Sequence, residues 1–102
     1  MTFEDFEKLL DKMVEEERGV RTSKGKEYAG TGDRLGNFKR LSDELGISPE
    51  AVCFIYFKKH VDSIASYIRN NGKVFSNEAV EGRILDARVY LSLLRAIIEE
   101  RK

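Results

Sequence analysis

The chain has 102 residues, enough for one domain with one modest core, and its eighteen Lys and Arg balance eighteen Asp and Glu. A formal net charge of zero excludes the broad basic field that duplex nucleic acid or an anionic membrane requires. The single cysteine, Cys53, allows no internal disulfide. The acidic N-terminus has no signal-peptide pattern and no apolar run long enough to span a membrane, so a cytoplasmic protein is expected.

Thr2 with Asp5 three positions on predicts the cap of a first helix. Phe3, Phe6, Leu10 and Met13, joined by Leu9 and Val14, form its apolar face. The glutamates 15 to 17 follow, and Gly19 is expected to end this helix. Residues 18 to 32 show no clean periodicity and predict a long glycine-rich, basic loop. A second helix is expected from about Asp33, with Leu35, Phe38, Leu41 and Leu45 inward, stopping at Gly46.

Ser48-Pro49-Glu50 reads as N-cap, first helical residue and first-turn acid of a third helix. It should run to about Arg69 and close at Asn70-Asn71-Gly72. Ser76 or Asn77 is the expected cap of the last helix. That helix carries two apolar stripes, Ile84, Ala87, Leu91, Leu94, Ile98 and Val89, Tyr90, Leu93, Ile97. A helix so apolar is either central or shared with another subunit, which predicts a homodimer or higher homo-oligomer. The fold expected for residues 1–102 is a single all-α domain, a four-helix bundle with a long loop between its first two helices.

Two polar residues sit on apolar lines. His60 lies on the stripe Cys53, Phe57, His60, Ile64, Tyr67, and is either a buried structural histidine or part of a site. With Lys59 and Ser63 it forms a donor-rich patch within one helical turn. Asp86 heads the line Asp86, Tyr90, Leu93, Ile97, where a carboxylate is costly unless it meets a cation, a metal or several donors. Pairing with Arg83 or with a lysine of another helix is the plain alternative to a ligand role. Cys53 shares a core stripe, and no nucleophile elbow, P-loop or dinucleotide fingerprint is present, so no catalytic residue is assigned.

The stretch KGKEYAGTGDRLGNFKR, residues 24 to 40, holds four glycines and five basic residues. Glycines let backbone N–H groups converge on an anion, and a following helix adds the positive end of its dipole. Tyr28 and Phe38 offer stacking surfaces, and Asn37 offers a donor and an acceptor to a base edge. A solvated connection is the other reading of the same composition.

The order KGKEYA, DRLGNFKR, LGISPE, KKHVDSI, EGRILDARVYLSLL resembles the nucleotide modification associated domain 1 family over about residues 20 to 98. Its members are small proteins found mostly in phages and prophages. The resemblance marks Lys24, Gly25, Glu27, Tyr28, Asp33, Arg34, Asn37 and Phe38, then Lys59, His60 and Ser63, then Glu81 and Asp86, and it narrows the ligand class to nucleotides. The pocket expected for a phosphorylated nucleotide is Lys24, Glu27, Tyr28, Arg34, Asn37, Phe38, Lys59, His60, Ser63, Arg83 and Asp86. The first expected function is binding without cleavage and with no cofactor, in a phage context the sequestration of a host defence nucleotide signal, cyclic or derived from ADP-ribose. The alternative is a magnesium-dependent enzyme of nucleotide-pool or nucleotide-modification metabolism, with the metal on Asp86 and Glu81 or Glu78. The chain is also loosely similar to MazG-like nucleoside triphosphate pyrophosphatases, but it lacks their paired E-x-x-E and E-x-x-D clusters. A module that docks a protein partner through the apolar last helix is the third expectation.

Overall fold

The computed structural model describes residues 1–29, 32–73 and 79–102, with residues 26–29 described through their backbone alone. Four helices follow one another as α1 (Phe3–Ala29), α2 (Gly36–Leu45), α3 (Pro49–Arg69) and α4 (Val80–Arg101), and no strand occurs among the described residues. The fold is all-α and bundle-like. None of the described helices is long and apolar enough to cross a membrane.

Local chemistry sets most helix ends. Asp5 N–H donates to Thr2 Oγ1 at 3.1 Å while Thr2 N–H donates to Asp5 Oδ2 at 3.3 Å, which closes a reciprocal capping box on α1. Ser48 Oγ accepts from Ala51 N–H at 3.1 Å, with Pro49 in the first turn of α3. Gly46 ends α2 at φ 70°, and Asn71 and Gly72 follow α3 at φ 53° and 85°. The cap of α4 is Ala79, with no side-chain bond; Ser76 and Asn77 lie outside the described residues.

The stretch from Gly19 to Ala29 differs from the sequence expectation. It is helix, so the connection between α1 and α2 is short and the expected long glycine-rich loop is mostly the last three turns of α1. The reason is tertiary. Leu10, Met13, Glu17, Val20 and Lys24 continue a spacing of three and four residues along one face, and that face meets α4. Glu17 pairs with Arg88 just before Gly19, and Lys24 with Asp86 beyond it, so the helix is held to α4 on both sides of the glycine. A glycine inside a helix costs about 1 kcal/mol relative to alanine, which such contacts offset.

The α3–α4 pair is the centre of the bundle, with α2 laid on α3 and α1 leaning on α4. Leu35, Phe38, Val52, Cys53 and Ile97 form the buried core, and Leu41, Ile47, Tyr90, Leu93 and Leu94 pack around it. The core therefore takes the α4 stripe through Val89, Tyr90, Leu93 and Ile97. Of the other stripe, Ala87 is buried while Ile84, Leu91 and Ile98 keep a substantial exposed fraction.

Candidate functional site

One cavity of about 140 Å³ opens between α1, the turn before α2, α3 and α4. Lys24, Arg34, Asn37, Phe38 and Asp86 line it, together with Tyr56 and Tyr90. Five of the residues expected from sequence are thus brought to one place by four different chain segments. Val20, Val89 and Leu93 add an apolar wall.

Each polar side chain is placed by its local structure. Asp33 Oδ1 accepts from Leu35 N–H at 2.9 Å, and Gly36 N–H donates to Asp33 O at 3.0 Å, forming a turn that presents Arg34 and starts α2. The Lys39 ammonium, 2.5 Å from Asp33 Oδ2, and that backbone bond hold the Asp33 carboxyl below its ordinary pKa. Asp33 therefore positions the turn rather than lining the cavity.

Arg34 is half-buried and lies against the backbone of α1. A Cβ added at the buried Gly25 would lie 3.0 Å from Arg34 Nε, so a larger residue there would press the arginine away from this position. Among the described residues Arg34 has no ion-pair or hydrogen-bond partner, and neither does the half-buried Asn37. Lys24, by contrast, reaches across to Asp86, with Nζ 3.3 Å from Oδ1.

An aromatic ladder backs the cavity. Phe38 meets Tyr56 edge-on at 6.4 Å between ring centroids, Tyr56 stacks on Tyr90 at 5.8 Å, and Tyr90 stacks on His60 at 5.5 Å. His60 is buried at the end of this ladder. Its Nδ1 lies 3.8 Å from Asp86 Oδ2 and 3.5 Å from Arg83 Nη1. Desolvation lowers the His60 pKa against the pull of Asp86, and Arg83, Lys59 and Lys24 add to the lowering. The imidazole is therefore neutral at pH 7, with Nδ1 accepting from Arg83. Asp86 has realised the plain alternative for a carboxylate on an apolar line: it meets a lysine of another helix. It does so at the cavity wall.

The other expected residues are elsewhere. Lys59 is exposed on the outer face of α3, where it borders a shallow depression with Phe54, Ile55, Lys58 and Asp62. Ser63 turns its hydroxyl back to Lys59 O at 3.2 Å. The donor-rich patch of Lys59, His60 and Ser63 is therefore split: none of the three lines the cavity, and only His60 lies behind its wall, against Tyr90 and Asp86. The side chains of Glu27 and Tyr28 lie outside the described residues.

Glu81 borders a different groove, beside Leu9, Lys12 and Met13, so it does not join Asp86; Glu78 lies outside the described residues. No three His, Cys, Asp or Glu side chains gather as a metal would need among the described residues. Burial pushes the Cys53 thiol up to about 11, and it donates to Tyr90 O at 3.4 Å. That thiol is a packing group, not a nucleophile.

Tyr56 and Tyr90 are the site residues that sequence reasoning missed. Their signal was present: Tyr90 follows Asp86 by one turn, and Tyr56 precedes His60 by one turn, so each shares a face with a suspected residue. Comparison of the chain with protein-family models, with curated proteins and with solved structures gave no match.

Proposed function

We propose that the cavity binds a phosphorylated nucleotide and holds it without cleaving it. The observation that carries this reading is the half-buried Arg34 guanidinium, which faces the cavity with no carboxylate partner among the described residues. A guanidinium so placed presents a fixed fork of donors to a phosphate. Lys24 adds a second cation, and Asn37 brings a donor and an acceptor beside the rings of Phe38, Tyr56 and Tyr90.

Ligand pockets for whole small molecules usually run to roughly 300–1,000 Å³. A volume of about 140 Å³ takes one part of a nucleotide, and the remainder lies outside the cavity mouth. Holding without cleaving rests on the chemistry of the lining. Asp86 is engaged by Lys24 and His60 by Arg83, and no serine, threonine or cysteine is among the described residues that line the cavity.

The resemblance in the sequence narrows the ligand class to nucleotides, and in a phage context one such role is sequestration of a nucleotide signal of host defence. The same reading takes the protein as a homo-oligomer, and apolar side chains left exposed on α1, α3 and α4 support it. Calorimetric titration with mono-, tri- and cyclic nucleotides tests it, with the ligand then released and its mass compared with the starting compound. Micromolar binding with the mass unchanged is expected. Binding no tighter than millimolar across the panel contradicts the reading, and an altered mass contradicts the holding role.

A further inference from the structure

The formal charge of the chain is zero, but it is divided unevenly. Residues 1–17 hold seven Asp and Glu against two Lys, a net of −5, which leaves +5 on the rest. The acidic share sits on the first half of α1. There the face that packs on α4 through Leu10 and Met13 continues uncovered into Phe3, 75% exposed, and Phe6, 48% exposed. Glu7 and Asp11 flank that face on one side; on the other, Glu16 is paired with Lys12 and Asp5 closes the Thr2 cap. The arm is an apolar stripe with one acidic margin.

The outer face of α3 is its complement. Phe54 is 54% exposed and Ile55 57% exposed, although both point away from the bundle. They border a shallow depression with Lys58 and Lys59 above it. Lys58 is engaged by Asp62, while Lys59 has no ion-pair partner among the described residues. Two adjacent large apolar side chains on a solvent face, rimmed by a lysine, have the make-up of a contact surface.

We propose that a second copy of the chain covers them: the α1 arm of each copy lies on the Phe54–Ile55–Lys59 face of the other. The exchange is reciprocal, so one twofold axis generates two identical contacts and the assembly closes as a dimer. In each contact Phe3 and Phe6 meet Phe54 and Ile55, while the acidic margin of the arm approaches Lys59. This assigns Lys59, the expected site residue that the cavity does not use, to recognition of the partner copy. The arrangement rests on the oligomer reading above and is independent of the ligand.

Sedimentation and chemical cross-linking test it together. The wild-type chain is expected to sediment as a dimer whose dissociation constant rises with salt, because exposed charges at the margins are screened. Phe6→Ser and Lys59→Glu should each raise that constant, the former by roughly tenfold or more as an aromatic anchor is lost. Both sites are exposed, so helical circular dichroism should be unchanged. A short bismaleimide added to a mixture of Phe6→Cys and Ile55→Cys chains should join position 6 to position 55. The native Cys53 is buried and gives little background. A monomer at all concentrations overturns both this arrangement and the oligomer reading. A dimer that cross-links only 6 to 6 or 55 to 55, or that ignores Phe6→Ser, overturns the arrangement alone.

Discussion

The two walls of the cavity are held by different physics. The α2–α3–α4 wall is packed, with Phe38 and Cys53 fully buried and a ladder of four rings running from Phe38 to His60. The α1 wall is latched by charge, through Lys24 to Asp86 and Glu17 to Arg88. A packed wall keeps its shape in any buffer. A latched wall weakens with salt and can yield to a competing anion, because Lys24 is half-exposed. The site thus pairs a rigid aromatic side with a cationic side that is able to adjust.

The largest effect that would sharpen this contrast is loss of the packed wall. Phe38→Ala should destabilise the protein by about 3–5 kcal/mol, the usual cost of removing a buried phenylalanine. Urea denaturation measures it, and a loss under about 1 kcal/mol would mean that the core does not depend on this ring.

Next comes the latch. Asp86→Asn should cost about 1 kcal/mol, since the half-exposed lysine partner is screened. Amide exchange should quicken in α1 while α3 and α4 keep their protection. Equal quickening in all three helices would break the distinction between the walls. Ser48→Ala, at the start of the packed side, should also cost about 1 kcal/mol through the lost cap, with no selective effect on α1.

The smallest effect is the pH response of His60, which stacks on Tyr90 and lies 3.8 Å from the Asp86 carboxylate that Lys24 engages. Burial holds its pKa below the ordinary 6.5. The folded chain therefore binds fewer protons at this site than the unfolded chain does. The stability it contributes is complete above the unfolded value and is lost as the pH falls toward the folded one. Thermal melting between about pH 7.5 and pH 5.5 should show this loss, and His60→Gln should flatten it. His60 is the only histidine, so an unchanged slope in that variant would contradict a desolvated imidazole.

Where helix ends are set by local chemistry, they were legible in the sequence. Ser48-Pro49, Gly46 and Asn71-Gly72 each act through their own backbone or a neighbour's N–H. The course of α1 past Gly19 was not legible by the same means, because the Lys24 contact comes from Asp86, 62 residues away. Gly19 and Gly25 look alike in sequence yet differ in the fold: a Cβ at Gly19 meets nothing, and at Gly25 it meets Arg34. For the candidate site, the anomalies His60 and Asp86 pointed to the region beside the cavity because a polar group on an apolar line must find a partner. Lys59 was drawn into that region by sequence proximity alone, and the helix turns it outward.

Gly25 also links the two walls, since it lets the turn before α2 seat its arginine against α1. The central claim is that this arginine is the anion anchor of the cavity, and Arg34→Gln tests it most directly. Calorimetric titration of the wild-type chain and of the variant with the tightest nucleotide of the panel should show affinity falling by roughly 30-fold or more, as expected when a charged hydrogen-bond partner is removed. The melting temperature should stay within a few degrees, because Arg34 has no ion-pair or hydrogen-bond partner among the described residues. Equal affinity in the two proteins would contradict the account.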